Sequence, residues 1–134
     1  MLKLKLKNQV PLEHDEQALF VKRMDFIATK YNFRYFAVVN GAIHRTARGG
    51  INYGQIKKLK DEGQVDGVPD LVILKDGKTL FIEMKRLKGS TTSEEQKDWL
   101  EWLVNNNFHA DICKGNDKAY EVLIKWLRDE FNMF

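Results

Sequence analysis

A chain of 134 residues, 43% hydrophobic and 31% charged with two prolines, can bury about two-thirds of its extended surface; neither disorder nor a stapled miniprotein is expected. One cysteine, Cys113, excludes an intramolecular disulfide framework and a cysteine-rich zinc module. No apolar run approaches the ~18 residues of a membrane span, no signal-peptide pattern opens the chain, and a net charge of +3 points only weakly to an anionic partner. The expectation is one domain over residues 1–134 in a reducing, cytoplasmic setting.

Residues 1–7 alternate Leu2, Leu4 and Leu6 with Lys3, Lys5 and Lys7, a half-buried strand whose lysines suit a sheet edge. Pro11 to Lys30 reads as a helix with an apolar stripe of Phe20, Met24 and Ile27, Leu19 beside it; Glu13 and Gln17 continue that stripe toward the N-terminus and are expected to point inward. Tyr35–Val39 is a strand ended by Asn40-Gly41. Residues 41–66 hold five glycines and a short helix around Tyr53–Lys60. Two strand-like runs follow, Pro69–Leu74 and Thr79–Arg86, joined through Asp76-Gly77, a strong hairpin signal. Ser93 and Gln96 have capping-box spacing at the head of a helix carrying Trp99, Leu100, Trp102 and Leu103. Phe108–Cys113 is a short strand, and Asn116 caps a last helix with Tyr120, Leu123, Ile124 and Leu127 on its core face. Trp99 and Trp102 are read as core residues, with base-stacking platforms as the alternative. The order predicts an α/β fold with a central mixed sheet flanked by helices.

With Asp76-Gly77 as the turn, Leu74 pairs with Thr79, Val72 with Phe81 and Asp70 with Glu83. One ribbon face then carries Asp70, Val72, Phe81, Glu83 and Lys85; the other carries Leu71, Ile73, Leu80, Ile82 and Met84 and is wholly apolar. Two carboxylates facing each other across a strand pair repel, so positive charge is required between them. Lys85 supplies part of it, and a divalent cation held by hard oxygen ligands would supply the rest. His14, His44 and His109 lack ligand spacing, which argues against a zinc hydrolase.

Gly67-Val68-Pro69-Asp70 followed by Glu83-Met84-Lys85-Arg86 resembles the PD…ExK signature of restriction-endonuclease-like nucleases. With Leu71-Val72, Phe81-Ile82, Lys88-Gly89 and Ser93-Glu94-Glu95-Gln96-Lys97-Asp98-Trp99-Leu100, nearly the whole chain resembles the VRR-NUC (virus-type replication-repair nuclease) family, which occurs in phage proteins and in the Fanconi-associated nuclease. The resemblance implies an αβββαβ core. It also implies Asp70, Glu83 and the Met84 carbonyl as ligands of Mg²⁺, with Mn²⁺ able to substitute, and Lys85 as the group that orients water or stabilises transition-state charge. A glutamate from the first helix is expected, either Glu13 or Glu16. Gln17, four residues after Glu13, favours Glu13, and the alternative for Glu16 is stabilisation of its own helix dipole. Gln96 either reaches the site or only completes the capping box with Ser93.

From His44 to Lys60 there are five basic residues and no carboxylate. Arg45, Arg48, Lys57, Lys58, Arg86 and Lys88 are therefore candidate phosphate contacts, which fix position without reading sequence. The expected activity is metal-dependent hydrolysis of branched or junction-like DNA in replication, repair or recombination, by a phage-derived homodimer resembling junction resolvases. Two alternatives remain open: a catalytically inactive nucleic-acid-binding module, and a sequence-specific restriction endonuclease of the same fold.

Overall fold

A computed structural model describes residues 9–39 and 47–134. The strand expected at 1–7, the Asn40-Gly41 turn, His44 and Arg45 lie outside the described residues. The elements are α1 (Glu13–Tyr31), β1 (Arg34–Ala37), α2 (Tyr53–Asp61), β2 (Leu71–Lys75), β3 (Lys78–Lys85), α3 (Glu94–Asn105), β4 (His109–Lys114) and α4 (Asn116–Phe131). The sheet order is β1-β2-β3-β4. The first three strands run antiparallel, and β4 lies parallel to β3. This is the expected α/β restriction-endonuclease-like arrangement, a mixed sheet between helices.

The hairpin sets the geometry. Asp76 and Gly77 both have positive φ, 45° and 76°, as a tight two-residue hairpin turn requires. The turn holds Leu74 opposite Thr79 and Val72 opposite Phe81, the register read from the sequence. Because side chains alternate, that register delivers Leu71, Ile73, Leu80, Ile82 and Met84 to one face, where all are buried. There they pack with Phe20 and Met24 of α1 and with Ala119, Leu123 and Leu127 of α4. On α4, Tyr120 and Ile124 are only partly buried against this core, and Trp126 joins it.

Two details differ from expectation. Asn116 is not the cap of α4; Gly115 is, with φ 86° and no side chain to offer. The capping acceptor comes from another helix, since Glu16 Oε2 of α1 accepts from both the main-chain N–H and the side-chain amide of Asn116. Neither tryptophan of α3 belongs to the core: Trp102 is 52% exposed, and Trp99 is half-buried against it. Leu103 is the residue of α3 that faces the sheet, and at about 100° per residue its neighbour is turned to the flank.

The segment leading into β2 is held by one close approach. Gly67 has φ 86°, and a Cβ there would lie 2.5 Å from the Glu95 carbonyl carbon in the first turn of α3. Gly63 also has positive φ, 104°, but open space around it. Gly67→Ala should therefore cost about 2–4 kcal/mol, from backbone strain plus overlap, and Gly63→Ala only about 1–2 kcal/mol. Equal losses in denaturant melts would show that the Gly67–Glu95 contact carries no weight.

Candidate active site

Asp70, immediately before β2, and Glu83, near the end of β3, project from the non-core face of the hairpin. The first turn of α1 brings in Glu13. One carboxylate oxygen from each of Glu13, Asp70 and Glu83 lies within 4.8 Å of the others. Asp66, Gly67, Val68, Lys85, Ser93, Glu95 and Gln96 complete the lining of an open cleft of about 380 Å³.

Lys85 and Gln96 hold Glu83 in place. Both are anchored: Lys85 is buried with its Nζ donating to Gln96 Oε1 at 2.9 Å, and Gln96 Nε2 donates to Glu83 Oε1 at 2.8 Å. The Lys85 ammonium stands 3.8 Å from the same Glu83 oxygen. Gln96 also accepts from the Ser93 N–H at 3.0 Å, while Ser93 Oγ accepts from the Gln96 N–H at 3.2 Å. The two alternatives for Gln96 thus coexist, because its carbonyl serves the capping box and Lys85 while its amide serves Glu83.

Asp70 Oδ2 accepts from the Met84 N–H at 2.8 Å. The two main-chain groups of a strand residue point to the same side, so the Met84 carbonyl is turned toward the Asp70 side of β3 as well. Lys85, the next residue, points its carbonyl the other way, to the Gly115 N–H at 2.9 Å.

Burial and mutual repulsion dominate the electrostatics. Burial, then the neighbouring Asp70, push the Glu83 carboxyl up to about 8, against the pull of Lys85. Burial raises Asp70 too, opposed by the Met84 N–H and Lys85. Glu13 is raised by burial and by the Asp70 charge. One lysine is too little countercharge for three converging carboxylates. Glu83 Oε2 is buried with no hydrogen-bond partner among the described residues. An all-oxygen donor set with an orphaned carboxylate oxygen is suited to a hard divalent cation.

The structure separates the two glutamates of α1. Glu13 joins the cluster, whereas Glu16, also in the acidic first turn of α1, is buried at the head of α4 and stays out of the cleft. Of the basic candidates, Arg48, Lys57, Lys58 and Lys88 are exposed. Lys57 is paired with Asp61 at 2.8 Å. Arg86 is turned inward: its Nη2 donates to the Val10 carbonyl at 3.3 Å, and its Nε is buried without a partner among the described residues. Sequence reading missed Glu95 and Gly67 as walls of the cleft; the glycine before Pro69-Asp70 was the available signal.

A sheet with one carboxylate-bearing hairpin, a lysine beside it and a helix carboxylate over its end defines a restriction-endonuclease-like nuclease fold. The sequence profile of the VRR-NUC domain matches residues 47–117, more than half of the chain, and the chain belongs to that family. The matched stretch contains the hairpin and α3 but stops short of the near-complete coverage read from the sequence, leaving out α1 and Glu13. A solved structure described as a VRR_NUC domain protein superposes with a TM-score of 0.61 at 21% identity, covering 90% of this chain and 91% of that one, which shows likeness of fold over most of the chain. No protein of curated function matches the chain. Among the described residues, no helix is long and apolar enough to cross a membrane.

The raised Glu83 has a consequence for stability. Between about pH 4.5 and 8 the unfolded chain releases this proton while the folded chain retains it, so cation-free stability should fall as pH rises through that window, by at most about 1.4 kcal/mol per pH unit for one proton. A divalent cation held by the cluster would replace that proton, so added Mg²⁺ or Mn²⁺ should raise the melting temperature more at pH 8 than at pH 6. Glu83→Gln should flatten both dependences in a thermal-melt series; unchanged slopes would contradict the carboxylate cluster as their source.

Proposed function

We propose that this protein is a metal-dependent, structure-selective DNA endonuclease that hydrolyses phosphodiester bonds in the Glu13–Asp70–Glu83 cleft. The observation that carries the reading is the convergence of three carboxylates within 4.8 Å beside a buried lysine. Without a cation the cluster relieves its repulsion by keeping a proton on Glu83, and membership of a nuclease family supports a divalent cation as the occupant that takes the proton's place.

Asp70, Glu83 and the Met84 carbonyl would hold the cation, Mg²⁺ or Mn²⁺, with Glu13 closing the site. Bound there, a divalent ion activates water at neutral pH and withdraws charge from a phosphoryl oxygen. Lys85 presents its ammonium on the side of Glu83 that faces Gln96, where it either orients the attacking water or stabilises charge on the phosphorane. Gln96 is a positioning residue that fixes both Lys85 and Glu83. Exposed Arg48, Lys57, Lys58 and Lys88 would contact phosphates without reading bases. Arg86 contributes by holding the α1 approach segment instead.

Candidate phosphate contacts, with no base-reading element among the described residues, support selection by DNA shape, hence branched or junction-like substrates in replication, repair or recombination. The resemblance to phage-encoded, junction-resolvase-like members supports a homodimer of phage origin. The free, buried Cys113 agrees with a cytoplasmic setting.

Asp70→Asn and Glu83→Gln should each lower cleavage of branched DNA in Mg²⁺ by at least about 100-fold while binding is kept or strengthened, since repulsion toward phosphate is removed. Lys85→Ala should lower turnover similarly with cation binding retained in titration calorimetry. Wild-type protein that binds junctions, flaps and linear duplex yet cuts none in Mg²⁺ or Mn²⁺ would replace the enzyme by a binding module.

A further inference from the structure

The face of the sheet that carries Asp70 and Glu83 continues away from the cleft as an aromatic surface. Phe81 lies two residues before Glu83 on that face, about 7 Å along the strand. Its ring meets Phe108 edge-on at 5.7 Å, and Phe108 lies stacked against Trp102 at 6.3 Å with 21° between planes. Trp102 meets Trp99 edge-on at 6.0 Å. Trp99 is one helical turn beyond Gln96, and Trp102 about 9 Å along the α3 axis from it. Two paths out of the cleft, one along β3 and one along α3, thus reach the same ring cluster. Trp102 is 52% and Phe108 40% exposed, so a large stacking surface remains open to solvent.

Resting on the nuclease reading above, we infer that Trp102 and Phe108 form a stacking shelf for unpaired nucleobases of the strand whose phosphate occupies the cleft. Three features of the molecule favour this occupant. The shelf is joined to the cleft along two elements, through Phe81 about 7 Å along β3 from Glu83 and through Trp99 one turn of α3 beyond Gln96. Its exposed members are flat rings, on which any base stacks irrespective of sequence. Its border is acidic, with Glu95 and Asp98 of α3 on the same flank as Trp102, so duplex phosphates laid there would be repelled. An unpaired strand can turn its bases to the rings and its phosphates away. The preferred substrates are therefore flaps, forks and splayed junction arms rather than fully paired duplex.

Tryptophan fluorescence tests the shelf without cation, so that no cleavage intervenes. A short oligothymidylate strand should quench the wild-type signal, and a blunt duplex of equal length should not. Trp102→Ala should weaken single-strand binding at least about 5-fold and change duplex binding by less than about 2-fold, with Trp102→Phe restoring the single-strand affinity. Absence of quenching, or equal loss on both DNAs, overturns the inference. So does a Trp102→Ala protein of lower mass than wild type by light scattering, which would make this surface an interface between copies. Cleavage without quenching removes the shelf and leaves the nuclease, whereas quenching without cleavage does the reverse.

Discussion

The structure depends on keeping Asp70, Glu83 and Glu13 together against their mutual repulsion. Each comes from a different element, and each is fixed by something other than attraction to its neighbours. The Asp76-Gly77 turn sets the hairpin register, and the Met84 N–H holds Asp70. Lys85 and Gln96 grip Glu83, and α1 is anchored by Phe20 and Met24 in the core. The wholly apolar reverse face of the same hairpin stabilises the site: the residues that alternate with the candidate site residues are among the most deeply buried of those described.

Helix ends carry much of the organisation. The capping box of α3 is common local chemistry, yet here its glutamine also reaches the hairpin, so that helix start and cleft are one hydrogen-bonded network. The two glutamates of α1, less than one turn apart, part company: one meets the hairpin, the other caps α4 across a long stretch of sequence. Gly115 permits that second contact, because a Cβ there would approach Glu16 Oε2 to 3.0 Å and Leu87 to 2.6 Å. The same helix thus brings a carboxylate to the cleft and ties the chain's later elements to its earlier ones.

Much of this was legible beforehand, and the reason is local. Strand faces alternate with period two, and an Asp-Gly turn admits few registers. The pairings of Val72 with Phe81 and Leu74 with Thr79, and the division of the ribbon into an apolar and an acidic face, therefore followed from a dozen consecutive residues. The capping pair Ser93 and Gln96 was equally local. Helix docking is not. An amphipathic pattern allows a helix to rotate by some tens of degrees against its sheet, and that freedom left Glu13 against Glu16 open and placed Trp102 wrongly in the core.

The sequence by itself determined the hairpin, its two faces and the presence of acids and an amine along one of them, because those relations are set by backbone geometry within a short span. Only the tertiary structure decided which helix carboxylate completes the cleft, that Gln96 serves two networks, that Arg86 turns inward, and that Trp102 and Phe108 stay open beside the site. Those outcomes depend on how separate elements pack, and packing is settled by contacts between residues distant in the chain.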